Sequence, residues 1–311
     1  MSEKPQFKRG IGRWSGTAEV YNGNGQFVGN ALDRRNVEKV SDTQIRINLN
    51  FVGPLMLSGH YIIESHDSYR LYRGPANVGY AEALGDGMVE AHNYWSHWGL
   101  SQRFFLYVTP DKDMQLSLAL LSRGEQLQYM VVGEYYRLPD DEDTASADGE
   151  FVPVPESLLL SGTPQDKAQD ASAGRGEILV HGNRKWRGDV TVLDSQLNVT
   201  DKVTLEQTIQ SDKNCVSWHV EGGGLVTAPY NISYQTNDWQ AWTGAGDIVG
   251  SYNLAGGRAL SGQIHHLNDE RRIWIREVVS ADARQKAILH VAYRGGERVG
   301  VQYGLLSAVD E

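Results

Sequence analysis

Two short segments, GRWSG at residues 12–16 and RKWRG at residues 184–188, decide how this chain of 311 residues is organised. Each contains a tryptophan followed two places later by a glycine, and each opens a run of alternating polar and apolar residues. The alternation recurs from Thr17 to Tyr21, from Gln44 to Leu49 and from Thr204 to Ile209. A period of two is typical of strands with one buried face, so the sequence predicts an all-β fold.

Turn-forming sequences separate these strands at intervals of roughly 8–15 residues, which is the spacing of antiparallel hairpins. One of them is GDG at residues 85–87. The two halves of the chain can also be aligned, which places Tyr69 over Trp239 and Tyr72 over Trp242. We therefore predict the internal duplication of a unit of about 125 residues.

A unit of about eight to ten short antiparallel strands has two exposed edges, and closure into a barrel removes them. The motif Gly12-Arg13-Trp14 resembles the signature of the lipocalin and calycin superfamily, whereas Arg184-Lys185-Trp186 keeps only the tryptophan. The resemblance implies two lipocalin-like up-and-down barrels, in which each tryptophan packs across the closed end. Barrels of this size leave room for about one small ligand.

An acidic segment divides the chain. Between Pro139 and Asp170, nine acidic residues stand against one lysine, and this segment holds most of the net charge of −10. It contains Pro, Ser, Ala and Gly without a hydrophobic period, which is the composition of a linker. We therefore predict a first barrel over residues 1–138, a linker over 139–174 and a second barrel over 175–311.

Charge and composition exclude several classes of protein. The chain outside the acidic segment is nearly neutral, so we expect no nucleic-acid partner. No stretch approaches about 18 uninterrupted apolar residues and no signal sequence is visible, so we expect no membrane partner. The single Cys215 fits a cytoplasmic location. No catalytic motif or paired metal-ligand spacing is present, and we expect neither a metal nor a cofactor.

The segment MVEAHNYW, residues 88–95, contains the candidate catalytic residues. Its period of two places Glu90, His92 and Tyr94 on one face of a strand and Trp95 on the other. If the first face points into the barrel, His92 can act as a base, Tyr94 as a proton donor and Glu90 as the group that orients the imidazole. If the second face points inward, Trp95 fills the core and the three polar residues meet solvent.

Large aromatic residues near the middle of each half indicate a wall for a flat apolar ligand, an interface, or ordinary packing. Arg70 and Arg73 could pair with a ligand carboxylate, or they could face solvent as most strand arginines do. The candidate ligand-binding residues are Tyr69, Tyr72, Arg73, Trp95, Trp239, Trp242 and His265.

These observations predict a protein that binds a small apolar or aromatic molecule in a barrel cavity. The face formed by Glu90, His92 and Tyr94 favours an isomerase, cyclase or lyase that catalyses a cofactor-independent proton shift, elimination or cyclisation on that molecule. The alternatives are a non-catalytic carrier and an interaction module whose aromatic face forms a homodimer interface. The catalytic hypothesis requires the three polar side chains to point into the first barrel.

Overall fold

The computed structural model describes residues 8–139 and 184–309, apart from positions 67–68, 76, 86, 97, 213–214, 223–224, 226–229, 237–239 and 245. The chain divides into two compact units, Met1–Ala168 and Gln169–Glu311. Nearly all of the predicted linker over 139–174 lies outside the described residues. Within the described residues, no helix has the length and apolar character needed to cross a membrane.

The first unit is a closed barrel of ten strands, in which each strand pairs antiparallel with the next and the last pairs with the first. The strands are β1 (Gly12–Asn22), β2 (Phe27–Lys39), β3 (Gln44–Val52), β4 (Leu57–Ser65), β5 (Tyr69–Arg73), β6 (Asn77–Gly85), β7 (Met88–Trp95), β8 (Leu100–Val108), β9 (Met114–Arg123) and β10 (Gln126–Arg137).

The second unit is also a closed ten-stranded antiparallel barrel with the same up-and-down order. Its strands are β11 (Arg184–Asp194), β12 (Val199–Asp212), β13 (Cys215–Gly222), β14 (Tyr230–Thr236), β15 (Gln240–Thr243), β16 (Ile248–Ala255), β17 (Ala259–His266), β18 (Arg271–Val279), β19 (Gln285–Arg294) and β20 (Glu297–Val309). The predicted all-β fold with two lipocalin-like barrels is confirmed. Its origin in a duplication stays a prediction.

The period of two decides which side chains fill the first barrel, because residues two apart on a strand share a face. Val89 and Ala91 on β7 belong to the same buried cluster as Leu106 and Val108 on β8. A second buried cluster contains Trp95. The inward face of β7 is therefore the face that carries Val89, Ala91 and Trp95.

The predicted turn lies where β6 ends at Gly85 and β7 begins at Met88. Gly87 has a φ of +84°, and a Cβ atom there would lie 2.9 Å from the carbonyl oxygen of Val108. Only glycine adopts this conformation without strain or a clash. The turn thus sets the register at which the candidate residues of β7 face β6 and β8.

Trp14 closes one end of the first barrel, as the lipocalin resemblance implies. Its indole is fully buried, and Nε1 donates a hydrogen bond of 2.9 Å to the carbonyl oxygen of Gly10. The guanidinium of Arg137 lies 4.4 Å from the ring centroid. It also donates to the carbonyl oxygens of Ile11, Arg9 and Lys112. One arginine thereby combines a cation–π contact with hydrogen bonds to three carbonyl groups in two backbone segments.

Trp186 is the corresponding buried residue of the second barrel. Trp14 pairs with Arg137 across the seam between β1 and β10, whereas Trp186 pairs with Ala308 across the seam between β11 and β20. The cation over the indole comes from inside the barrel instead, because Lys286 Nζ lies 5.0 Å from the ring centroid. The two barrels therefore share the tryptophan but not the residue that covers it.

Candidate functional site

The first barrel contains a cavity. Its enclosed volume is about 40 Å³, and the empty space is about 500 Å³ when the open mouth is included. Seven strands contribute to its wall, and most of that wall is apolar. The lining residues are Arg35, Val37, Ile45, Ile47, Tyr61, Ile63, Arg70, Tyr72, Val89, Phe104, Leu106 and Gln115.

Arg35 on β2 forms the first polar part of this wall. It donates from Nε to both carboxylate oxygens of Asp33, at 3.0 and 3.1 Å, and its Nη2 lies 2.5 Å from Asp33 Oδ2. Its guanidinium also lies 4.2 Å from the centroid of the Tyr135 ring. Burial lowers the pKa of Arg35, but the carboxylate of Asp33 raises it, and the net pKa is above the ordinary value. Arg35 is therefore a permanent cation held in one orientation.

Arg70 on β5 forms the second polar part of the wall. Only 2% of its surface is exposed, and it shares the inward face of β5 with Tyr72. The Tyr72 ring lies 5.8 Å from the ring of Tyr61 on β4. Burial raises the pKa of Tyr61 to about 12, although Arg35 opposes this shift, and burial likewise raises the pKa of Tyr72. Both phenols are therefore neutral hydrogen-bonding groups at physiological pH.

The three candidate catalytic residues lie on the opposite face of β7 from the cavity. Val89 lines the cavity, so Glu90, His92 and Tyr94 point out of the barrel. Tyr94 is 46% exposed, and the ring of His92 stacks on the exposed ring of Tyr80, with centroids 5.1 Å apart. His92 Nε2 is 4.0 Å from Glu90 Oε1. The inward orientation that the catalytic hypothesis required is thus absent, and the geometry of this strand contradicts it.

The physical reason is the difference in the cost of burial between the two faces. Val89, Ala91 and Trp95 gain free energy when they leave water, at roughly 25 cal/mol per Å² of apolar surface. A carboxylate and an imidazole in the same places would be surrounded by apolar groups, whereas Glu90, only 8% exposed on the outer face, lies beside His92. The indole nitrogen of Trp95 finds an acceptor inside the barrel in Gln102, at 2.9 Å.

The other candidate ligand-binding residues of the first barrel are divided between the two faces. Tyr72 lines the cavity, as the sequence analysis proposed. Trp95 lies in the interior, but it belongs to a separate apolar cluster and does not line the cavity. Tyr69 is exposed on the outer face, and Arg73 is exposed beside Glu64, with 3.6 Å between Arg73 Nη2 and Glu64 Oε2. Arg70 therefore holds the position in the wall that the sequence analysis gave to Arg73.

The candidates in the second barrel do not form a comparable site. Trp242 is 41% exposed, His265 is half-buried on the outer face of β17, and Trp239 lies outside the described residues. The alignment of Tyr72 with Trp242 is also wrong by one residue. Tyr72 pairs with Gly79 on the next strand, and Thr243 is the residue that pairs with Gly250. A shift of one residue exchanges the two faces of a strand.

The interior of the second barrel contains a buried polar cluster that sequence reasoning missed. Glu277 Oε1 lies 3.0 Å from His290 Nε2 and accepts a hydrogen bond of 3.0 Å from Gln207 Nε2. Glu277 Oε2 lies 3.0 Å from Lys286 Nζ, which also donates to Gln207. All four residues are at least 96% buried. The signal in the sequence was a lysine and a histidine four residues apart in the strand QKAILHVAYR, since both then share one face.

Electrostatic pairing keeps this cluster ionised. Burial raises the pKa of Glu277, but the opposing effects of Lys286 and His290 outweigh burial. The resulting pKa is about 2. Burial lowers the pKa of Lys286, and Glu277 opposes that shift. In the part of the chain that the structure describes, no group of three or more His, Cys, Asp or Glu side chains is arranged to hold a metal ion. The cluster is thus a lysine–glutamate ion pair to which His290 and Gln207 are hydrogen-bonded.

The strand pairings relate the positions of the two barrels to each other. Trp14 pairs with Arg35 and Trp186 pairs with Gln207, so Gln207 holds the position of Arg35. The strand pairings can be followed from one strand to the next, starting from Trp14 in the first barrel and from Trp186 in the second. By this route, Ala241 on β15 holds the position of Arg70 on β5. The second barrel therefore closes without either arginine.

No family model matches this chain, and no curated protein matches it. Among solved structures, it is similar to a protein of unknown function from the DUF3598 family of Nostoc punctiforme, with 12% identity, a TM-score of 0.58, and coverage of 99% of this chain and 100% of the other. It is more distantly similar to an S-type phycobiliprotein lyase from Guillardia theta, with 11% identity, a TM-score of 0.35, and coverage of 43% and 92%. The first similarity shows the fold alone. Fold and site together define a lipocalin-like protein of two barrels with a cavity in the first.

Proposed function

We propose that the protein binds a small, largely apolar molecule inside its first barrel. The observation that carries this proposal is the cavity, because close-packed protein interiors leave few spaces larger than a water molecule. The aliphatic wall formed by Ile45, Ile47, Ile63 and Leu106 favours an apolar body. Apolar cavities with a few convergent polar groups are the usual form of small-molecule sites.

Binding without chemistry is favoured over catalysis. The isomerase, cyclase or lyase reaction depended on Glu90, His92 and Tyr94, and none of the three lines the cavity. The carrier that the sequence analysis kept as an alternative needs only the cavity wall. The cytoplasmic location, the absence of nucleic-acid and membrane partners, and a homodimer built on exposed aromatic residues stay predictions.

The size of the cavity limits the ligand. The enclosed part, about 40 Å³, is small beside the roughly 500 Å³ that includes the open mouth. A ligand with more than a few heavy atoms must therefore also use the mouth of the cavity.

Filling the cavity tests the proposal. We expect neutral 1-alkanols, from butanol to decanol, to bind saturably in titration calorimetry and to raise the melting temperature, because a ligand that binds only the folded state stabilises it. Val89→Phe should abolish binding, since the added ring occupies the cavity. The matched control is Leu260→Phe, because Leu260 holds the position of Val89 in the second barrel and is equally buried.

A second variant guards against a failure of Val89→Phe to fold. Val89→Ala enlarges the cavity and should shift the preference towards longer alkanols. The proposal fails if no alkanol binds saturably to the wild-type protein. It also fails if Val89→Phe binds alkanols as well as Leu260→Phe does while circular dichroism shows both to be folded.

A further inference from the structure

Both charged side chains that line the cavity of the first barrel are arginines. Arg35 and Arg70 come from strands β2 and β5, and no carboxylate is among the described residues that line the cavity. Asp33, which binds Arg35, is fully buried and does not line the cavity. A ligand that enters therefore meets two guanidinium groups in the described part of the wall.

The fold itself does not need these arginines. The second barrel is a closed barrel of the same ten-stranded order, with Gln207 in place of Arg35 and Ala241 in place of Arg70. A barrel of this strand order therefore closes without arginines at these two positions. The place of Arg35 and Arg70 in the cavity wall indicates a role towards a ligand.

We propose that the ligand of the first barrel is an amphipathic carboxylic acid, whose carboxylate binds Arg70 and whose apolar body contacts the aliphatic wall. This inference rests on the proposed function and names the chemical class of its ligand. Arginine is suited to the task because its planar fork matches a carboxylate with two parallel hydrogen bonds. Its five N–H donors can serve a protein acceptor and a ligand at the same time.

The surrounding groups complete the polar end of the site. Tyr72 lies two residues from Arg70 on the same face of β5, and Tyr61 lies beside Tyr72. Because both phenols are neutral, they can donate hydrogen bonds to a carboxylate oxygen without repelling it. We assign the binding of the carboxylate to Arg70 because it lines the cavity on the same strand face as Tyr72. Arg35, which is held in place by Asp33, shapes the site.

The experiment compares acids with alcohols of the same carbon skeleton. Octanoate and 1-octanol form the aliphatic pair, and phenylacetate and 2-phenylethanol form the aromatic pair. We expect the acid of at least one pair to bind the wild-type protein at least about tenfold more tightly than its alcohol, because hydrogen bonds to charged groups contribute more than neutral ones. The better pair shows whether the apolar body is a chain or a ring.

Substitution of Arg70 isolates the charge. Arg70→Met should lower the ratio of acid affinity to alcohol affinity by about 10- to 100-fold, because only the acid carries a charge for Arg70 to bind. Arg70→Lys should recover part of the preference. The control is Arg73→Met, which removes the exposed arginine three residues away on the outer face and should change neither affinity.

The outcomes separate this inference from the proposed function. If the alcohols bind and the acids bind no better, or if Arg70→Met keeps the preference for the acid, the carboxylic-acid assignment is wrong while the cavity remains a binding site. If neither acids nor alcohols bind, both proposals are wrong. If Arg70→Met does not fold, Arg70→Lys and the wild-type comparison of acid with alcohol still decide.

Discussion

The two barrels share one strand order but differ in the side chains that fill their interiors. Both are ten-stranded and both bury a tryptophan, yet the first leaves a cavity bordered by Arg35 and Arg70, whereas the second places an ion pair in its interior. Lys286 occupies the position of Gln115, and Glu277 occupies that of Leu106. The comparison teaches that closure of the barrel depends on the strand pattern, while the few polar positions inside decide what each barrel can do.

The largest effect is expected from breaking the ion pair of the second barrel. Glu277→Leu, which copies Leu106 of the first barrel, leaves Lys286 buried without its carboxylate. We expect the free energy of unfolding to fall by about 3–5 kcal/mol in urea denaturation. The double variant Glu277→Leu with Lys286→Gln copies both first-barrel residues and should recover most of the loss. A double variant no more stable than the single one would show that the polar cluster is required by this barrel.

Acid should weaken the second barrel through the same group. The pKa of Glu277 is about 2 in the folded protein and 4.5 in an unperturbed carboxyl group. A depressed pKa contributes stability that is complete above the unfolded value and is lost as the pH falls towards the folded one. We expect the part of acid unfolding between about pH 4.5 and pH 2 to shrink in the double variant. If the double variant unfolds over the same pH range as the wild type, Glu277 is not a cause of acid unfolding.

Removal of the cap of the first barrel should have a smaller effect. Arg137→Ala copies Ala308 of the second barrel and deletes the cation over Trp14 together with its hydrogen bonds to backbone carbonyl groups. We expect a loss of about 2–3 kcal/mol in the free energy of unfolding. Lys39→Ala is the control, because it removes only an exposed pair with Asp42 and should change stability by less than about 1 kcal/mol. Equal effects of the two substitutions would mean that Arg137 is not a structural cap.

The smallest effect is expected on the outer face of β7. A variant with Glu90→Gln, His92→Gln and Tyr94→Phe should bind 1-octanol within about twofold of the wild-type affinity, since none of these side chains lines the cavity. Calorimetric titration beside Val89→Phe provides the measurement. If the triple variant loses octanol binding, these residues contribute to the binding site.

The fold could be predicted from the sequence because its signals are repeated many times. Alternation of apolar residues, regular turns and the two tryptophans all favoured strands and closed barrels, and each signal is local in the chain. The predicted turn before β7 is an example, because Gly87 has the positive φ that such a turn requires. Errors at single positions, such as the alignment of Tyr72 with Trp242, could not change the class of fold.

The site could be predicted only in part, because alternation defines two faces without saying which one is inside. Glu90, His92 and Tyr94 attracted attention by their chemistry, but the apolar face formed by Val89 and its neighbours is the one that the barrel buries. The candidate list contained Arg73 and not Arg70, and their three-residue spacing puts them on opposite faces of β5. Strand pairing brings Arg35 and Glu277 to their partners, and strand pairing cannot be read from amino-acid composition.

The hydrogen bond from Arg137 to Ile11 also has a consequence for how the first barrel folds. It joins residues that are 126 positions apart, at the seam where β10 meets β1. The seam cannot form until β10 has been synthesised, so β1 and β9 each keep an open edge while the chain grows. The tryptophan–arginine contact is therefore a late event, and its formation, read from the fluorescence of Trp14, would report the moment at which the ring of strands closes.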